Sequence, residues 1–281
     1  MESLMKKKVQ KESLSILFLY RTVPGRMLLK LLIRPGISNA AAAFMSSPAS
    51  GVLIGPFVRK NNIDMERFER PADGYRSFND FFTRKLKPEY AQSVSGGLVS
   101  PCDGLLTVMH IDDDSVMEIK NSRYTVRELL RDTKLSQKYS DGTALIFRLT
   151  PSHYHRYCYC AEGRAFAERR IEGVLHCVRP VALETHKVFA QNTREYSVIK
   201  TEKYGHIVQM EVGAMLVGRI SNHPFPGAAR YVEAGEEKGY FEYGGSTIIL
   251  LFEKGFELCA AIRERDAVDG EIPVTIGESL V

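Results

Sequence analysis

From Ser100 onward, short runs rich in Val, Ile, Tyr and Phe alternate with Gly and Pro residues. This pattern restricts the fold classes that the chain can adopt. Such runs are typical of β-strands, and short turns between them favour antiparallel pairing. One helix is predicted among them, from Tyr124 to Leu135. The predicted strands are Leu105–Ile111, Ala144–Leu149, Gly163–Glu172, Tyr196–Thr201, His206–Val212, Tyr231–Glu233 and Thr247–Phe252.

The residues before Ser100 have a helical pattern instead. Residues 13–33 predict one or two short helices broken near Pro24, and Ser77 is a predicted N-cap for a helix over residues 77–86. We therefore predict an α+β protein, with a helical N-terminal segment followed by a mostly antiparallel, β-rich core. The change of pattern divides the chain into a helical region 1–95 and a β-rich domain 96–281.

The positive charge of the chain is concentrated at its N-terminus. The net charge of +4 is too small to indicate a nucleic-acid partner, but eight Lys and Arg residues and only two Glu residues lie between Met1 and Gly36. Mixed with apolar side chains, this pattern is typical of a helix lying in the interface of an anionic membrane. An ordinary amphipathic helix packed on the protein body is the alternative.

A Gly-Gly-Ser-Thr sequence, residues 244–247, lies between two strand-like runs. Taken alone it predicts a turn, because Gly permits unusual backbone angles and Ser caps turns. The same residues also suit self-cleavage, in which the Ser246 hydroxyl attacks the carbonyl carbon of Gly245. The amide becomes an ester, and elimination followed by hydrolysis leaves a pyruvoyl group at position 246.

Several segments together resemble the phosphatidylserine decarboxylase family, and they occur in the order in which that family carries them. Each is weak alone, whereas the ordered set is specific. They are Ser77–Arg84, Ser100–Gly104, Phe147–Arg156, Phe189–Glu195, Val212–Gly218, Lys238–Phe241 and Gly245–Thr247.

The resemblance implies a pyruvoyl cofactor derived from Ser246, with cleavage after Gly245 into chains 1–245 and 246–281. It implies that the enzyme binds the amine of phosphatidylserine as a Schiff base and releases phosphatidylethanolamine and CO2. It also implies that Asp103 belongs to the group of residues that drives self-cleavage. Without the resemblance, Asp103 before Gly104 is a turn residue.

The histidine motif of the family places His155 beside the pyruvoyl group. Many bacterial members carry a second histidine three residues later, where this chain has Cys158. Three alternatives follow: His155 serves both steps, Cys158 replaces the missing histidine, or another histidine such as His153 or His206 approaches. No standard zinc spacing is present, so no metal is expected.

The expected partners are phosphatidylserine and an anionic membrane surface, together with a homodimer that the resemblance implies. The expected location is peripheral, on the cytoplasmic face of the cell membrane, and the five cysteines without a CxxC pair suit a reducing compartment. Two other functions stay open. One is a pyruvoyl-dependent decarboxylase of a soluble amino acid, and the other is a non-catalytic carrier or scaffold resembling a lipoyl domain, with Lys238 near a turn.

Overall fold

The computed structural model describes residues 14–33, 35–90, 97–119, 122–178, 180–183, 186–214, 219–243, 246–267 and 270–281. The α-helices are α1 (Leu14–Arg21), α2 (Val23–Leu32), α3 (Pro35–Met45), α4 (Ile54–Asn61), α5 (Phe78–Phe82), α6 (Val126–Leu130), α7 (Thr133–Ser136), α8 (Pro180–Leu183), α9 (Val188–Gln191) and α10 (Ala260–Arg263). Short 3-10 helices span Pro48–Leu53, Met65–Arg67, Pro88–Tyr90 and Gln137–Tyr139.

The strands form one large sheet and two small ones. They are β1 (Gly104–His110), β2 (Val116–Ile119), β3 (Ser122–Thr125), β4 (Thr143–Leu149), β5 (Arg156–Cys158), β6 (Gly163–Phe166), β7 (Arg169–Ile171), β8 (Arg194–Lys200), β9 (His206–Val212), β10 (Ile220–Asn222), β11 (Ala229–Val232), β12 (Glu237–Phe241), β13 (Ser246–Phe252) and β14 (Ile272–Val274). The large sheet has the order β11-β6-β8-β9-β13-β4-β1-β14, with β7 also paired to β8. The small sheets are β10-β12-β5 and β2-β3, and the strand pairs are antiparallel.

The two faces of the large sheet carry separate apolar cores. Alternate residues of β13 point to opposite faces, so Ile249 and Leu251 join one core while Ile248 and Leu250 join the other. The first core also holds residues of α1 and α2, whereas the second includes Tyr157 and Phe241 of the small sheet β10-β12-β5. The large sheet is therefore covered by helices on one face and by a second sheet on the other.

The N-terminal helices α1 and α2 both pack and expose apolar side chains. Tyr20 and Leu29 are buried in the first core, whereas Leu14, Val23 and Met27 are 84%, 63% and 71% exposed. The segment has features of both alternatives, the membrane-interface helix and the helix packed on the protein body. One side of the helix pair packs on the protein body, and the other side faces solvent. In the part of the chain that the structure describes, no helix has the length and apolarity needed to cross a bilayer.

The predicted α+β class, with helices preceding an antiparallel β-rich core, is confirmed. The strand predicted over Gly163–Glu172 is divided into β6 and β7, and Glu168 between them reaches inward to Lys238, with 3.3 Å between Oε1 and Nζ. The strand is interrupted where this carboxylate meets a buried ammonium.

Three helix predictions have boundaries that differ from the structure. The helix predicted over residues 77–86 has the predicted N-cap Ser77 but ends at Phe82. The helix predicted from Tyr124 begins only at Val126, because Thr125 and Glu128 form a capping box there. It ends at Arg131, which has a φ of 48°, and Asp132 then caps α7. The break predicted near Pro24 lies two residues earlier, because a proline is well accommodated in the first turn of a helix such as α2.

Candidate active site

Ser246 is the first residue of β13, an inner strand of the large sheet. It lies opposite Leu149 of β4, and it is completely buried. Its Oγ has no hydrogen-bond partner among the described residues, which is unusual for a buried hydroxyl. Gly244 and Gly245, and with them the predicted cleavage partner, lie outside the described residues.

His155 lies just before β5 and is also completely buried. Its Nδ1 is 2.8 Å from the carbonyl oxygen of His153, and because a carbonyl can only accept, Nδ1 must carry the proton. Burial, with smaller contributions from His153 and Arg84, holds the pKa of His155 well below its ordinary value. The ring is therefore neutral at pH 7, and its Nε2 has a lone pair with no described partner.

Helix α5 brings His155 close to the segment that leads into Ser246. The Phe82 ring lies 4.0 Å from the His155 ring and 5.2 Å from the Tyr243 ring, centroid to centroid. The backbone N–H of Tyr243 donates to Asn79 Oδ1 at 3.1 Å, and that of Phe241 donates to the His155 carbonyl at 2.9 Å. The chain from β12 towards Ser246 is thus fixed on one side by α5 and on the other by His155.

Asp103 contacts backbone groups rather than a histidine ring. Its Oδ1 accepts from the N–H of Ile276 at 2.9 Å, and its Oδ2 accepts from the N–H of Tyr154 at 3.4 Å. Since Tyr154 precedes His155, the carboxylate ties the histidine loop to the C-terminal segment. This geometry supports a positioning role for Asp103.

Cys158 is buried three residues after His155. Its thiol lies 3.8 Å from the carbonyl oxygen of Ser100, and burial raises its pKa to about 12. The thiol is therefore protonated at neutral pH and cannot accept a proton from a hydroxyl.

The two other candidate histidines are placed differently. His153 Nδ1 accepts the N–H of Thr150 at 2.9 Å, and burial lowers the pKa of His153. His206 Nδ1 lies 3.0 Å from Glu253 Oε1, at the end of β13 opposite to Ser246. A seven-residue separation along a strand puts His206 roughly 20 Å from Ser246.

Arg84 is a buried cation that the sequence indicated only as a basic residue late in the helix. Its guanidinium lies over the rings of Phe68 and Phe81, and Nη1 donates to the carbonyls of Phe81 and Phe82. Its Nε and Nη2 have no described partner. Arg84 thus caps α5 and places a positive charge near His155, which favours the neutral ring. The sequence did not indicate that Asn79 and Tyr243 would contact each other. Asn79 was only known to lie within a family motif, and Tyr243 only to lie close to one.

A buried charge network connects the small sheet to the large sheet. Lys238 Nζ donates to Glu211 Oε2 at 2.7 Å and to Asn222 Oδ1 at 3.1 Å, and the side chains of Lys238 and Glu211 are fully buried. Burial raises the pKa of Glu211 to about 7, although Lys238 opposes that shift. Glu211 belongs to β9 and lies opposite Ile248 on β13, so this network holds β12 against the strand that pairs with β13.

A cavity of about 230 Å³ is lined in part by Tyr154, Cys158 and Glu237. Arg156, which also lines it, donates to Glu237 at 2.7 Å and to the Thr83 carbonyl at 2.8 Å. Among the described residues, no group of three His, Cys, Asp or Glu side chains is arranged to hold a metal ion.

The chain is similar to known proteins over most of its length. The family model described as phosphatidylserine decarboxylase matches residues 78–281. Phosphatidylserine decarboxylase proenzyme 2 of Clostridium acetobutylicum is 46% identical over 268 residues, which cover 94% of this chain and 90% of that protein. The phosphatidylserine decarboxylase proenzyme of Ruminiclostridium cellulolyticum is 41% identical, covering 84% of this chain and 80% of the relative. That of Chlamydia muridarum is 40% identical, covering 86% and 81%.

The matched region contains α5, Asp103, His155, Cys158 and Ser246, so the site described above lies wholly within it. With relatives of this identity and coverage, the chain belongs to the phosphatidylserine decarboxylase family.

Proposed function

We propose that this protein decarboxylates phosphatidylserine to phosphatidylethanolamine and CO2, using a pyruvoyl group that it makes from Ser246. The observation that carries the proposal is the buried Ser246 hydroxyl, which has no hydrogen-bond partner among the residues that the structure describes and begins a strand paired on both edges. A buried hydroxyl that makes no hydrogen bond to these residues is available to react with the backbone that precedes it.

Self-cleavage is proposed to start with attack of Ser246 Oγ on the carbonyl carbon of Gly245. The C–N bond breaks, an ester bond forms, and the α-amine of residue 246 is released. Elimination of the ester leaves the carboxylate of Gly245 and a dehydroalanine, which water converts to the pyruvoyl group with loss of ammonia. The products are chains 1–245 and 246–281.

His155 is the proposed base for this step. Its Nε2 has no partner among the described residues and the ring is neutral at pH 7, so Nε2 is able to act as a base, and we propose that it takes the Oγ proton. Asp103 holds the loop that carries His155, and Cys158 takes no part because its thiol stays protonated. We favour His155 serving both steps over Cys158, His153 or His206.

The residues present fit a pyruvoyl group at position 246, since Ser246 is buried beside the segment that His155 and α5 hold in place. When present, this group supplies the electron sink that loss of CO2 from an amino acid requires. We propose that His155 delivers a proton to the substrate α-carbon after CO2 has left. Because its pKa is low, a proton on Nε2 is given up readily.

A lipid substrate fits the exposed side of α1 and α2. Leu14, Val23 and Met27 would enter the boundary of the acyl chains while the basic residues of the segment meet anionic head groups. We propose a peripheral location on the cytoplasmic face of the cell membrane, with region 1–95 as the contacting part. A homodimer stays a prediction of the resemblance.

Replacing Val23 and Met27 by Gln is expected to weaken vesicle binding about tenfold. Partial insertion of two apolar side chains contributes about 1–2 kcal/mol, and their exposure means that the fold loses little by the change. The measurement is co-sedimentation with vesicles of phosphatidylcholine and phosphatidylglycerol. Unchanged binding would contradict membrane contact through α2, and Val108→Gln, an exposed position on β1, is the matched control.

The function itself is tested by incubating the purified chain with vesicles that contain phosphatidylserine. We expect CO2 and phosphatidylethanolamine in equal amounts, and no CO2 from free serine at the same concentration. Release of CO2 from free serine alone would favour a decarboxylase of a soluble amino acid. An uncleaved chain with no turnover on either compound would favour the carrier or scaffold function.

A further inference from the structure

A second cavity lies between helix α2 and the protein body. Its volume is about 520 Å³, which is within the size range of small-molecule sites. Three cations line it: Arg26 and Lys30 on α2, and Arg131 at the end of α6. Its apolar lining includes Leu29, Ile33, Val174 and Ala190.

The charge of this cavity is not neutralised by its described surroundings. Its described lining residues include no carboxylate, and no described acid forms an ion pair with Arg26, Lys30 or Arg131. Three acidic residues close in the chain to lining residues have other partners. They form the ion pairs Asp132 with Arg169, Glu172 with Arg170 and Glu128 with Lys187.

A fourth cation lies behind the wall of the cavity. Arg194 is completely buried, and its guanidinium donates to the carbonyls of Leu129, Ala190, Asn192 and Glu128 rather than to a carboxylate. Burial and the charge of Arg131 lower its pKa to about 10, so it stays protonated at pH 7. The cavity therefore has a positive potential that four protein cations create.

The position of the cavity on α2 indicates which anion would reach it. Arg26, Leu29, Lys30 and Ile33 have the spacing of one helix face and line the cavity. Met27 and Val23 lie on the adjoining face and are exposed. If that face enters the acyl boundary of a membrane, the mouth of the cavity lies at the depth of the lipid phosphates.

We infer that this cavity binds the phosphate group of an anionic phospholipid, with Arg26, Lys30 and Arg131 as the ligands of the phosphate and the apolar walls against the glycerol and ester groups. Lys and Arg side chains are the usual ligands of such phosphates. This lipid would be a non-reacting one, held apart from Ser246 and anchoring α2. The vesicle part of the test rests on the proposed membrane contact, whereas the test with monomeric lipid does not.

The test measures binding of dihexanoyl phosphatidylglycerol, kept below its micelle concentration, to the full chain by titration calorimetry. Arg131→Gln and Lys30→Gln are each expected to weaken binding roughly tenfold, because each removes one charge-assisted hydrogen bond to phosphate. Both side chains are exposed, so both variants should fold. The control is Arg263→Gln, an exposed arginine on α10, which packs on the opposite face of the large sheet. It should bind as the wild type does.

Three further measurements test whether the ligand is an anionic lipid and whether it binds in this cavity. Dihexanoyl phosphatidylcholine should bind more weakly than dihexanoyl phosphatidylglycerol, because its choline cation offsets the phosphate charge among the cations of the cavity, and inorganic phosphate should bind more weakly than the anionic lipid. Phosphate binding as tight as the lipid would overturn the assignment to a lipid, and equal losses in Arg263→Gln and Arg131→Gln would overturn the site. In the third measurement, the wild-type chain is mixed with vesicles. If it does not bind vesicles but does bind the monomeric lipid, the proposed membrane contact is refuted and the proposed lipid site in the cavity is not.

Discussion

Replacement of Ser246 by alanine is expected to leave a single intact chain of 31.6 kDa with no decarboxylase turnover. The change removes the only atom of residue 246 that can attack the preceding carbonyl, so no ester and no pyruvoyl group can form. The fold should tolerate it, because the removed hydroxyl has no hydrogen-bond partner to lose. Intact-mass spectrometry of the wild type should instead show two fragments, the smaller beginning with a blocked residue 246.

Ser197→Ala is the matched control for this experiment. Ser197 lies on β8 of the same sheet, is buried, and also has an Oγ without a described partner. We expect this variant to be cleaved and active like the wild type. A Ser246→Ala chain that is still cut before residue 246, or that still releases CO2 at the wild-type rate, would overturn the proposed function.

Replacement of His155 by asparagine is expected to reduce turnover by a factor of about 10²–10⁴, the usual contribution of general acid–base catalysis. Asparagine can place an N–H near the position of Nδ1, where it can still donate to the His153 carbonyl, but it has nothing at the position of Nε2. Self-cleavage should slow as well if one histidine serves both steps. Both rates are measurable, cleavage by gel analysis and turnover by CO2 release.

Cys158→Ala and His206→Asn are the comparisons for His155→Asn. We expect both to self-cleave, because the Cys158 thiol stays protonated and His206 lies at the far end of the strand. Because the pKa of His155 is depressed, its base form persists as the pH falls below 6.5, so the cleavage rate should decline only in more acidic solution. Loss of cleavage in Cys158→Ala with cleavage retained in His155→Asn would contradict the assignment of the base.

The strands of the large sheet were predictable because their side chains alternate between two apolar cores. β4, β9 and β13 match the predicted ranges to within one residue. The short strands β10 and β14 were not predicted, because three residues carry too little pattern and their pairing depends on partners distant in the chain. The helix predicted from Tyr124 was misplaced because a capping box and a left-handed residue overrode its apolar spacing.

The candidate site was predictable as a set of residues but not as an arrangement. Motifs indicated Ser246, His155 and Asp103, yet nothing in the sequence shows that His155 donates to a carbonyl or that Asp103 binds backbone amides. The state of Cys158 could not be predicted either, since a thiol pKa depends on burial that only the packed structure defines. The contact of Phe82 with His155 joins residues of two distant segments, and no local pattern reports it.

β13 is entirely buried and is bonded along both edges, to β4 and to β9. Cleavage of the backbone just before β13 would therefore give two chains that remain together in one folded protein. The two fragments should elute together from a sizing column and separate only in denaturant. Folding must then come before maturation, and once denatured the mature enzyme would have to rebuild an interior strand from a separate peptide.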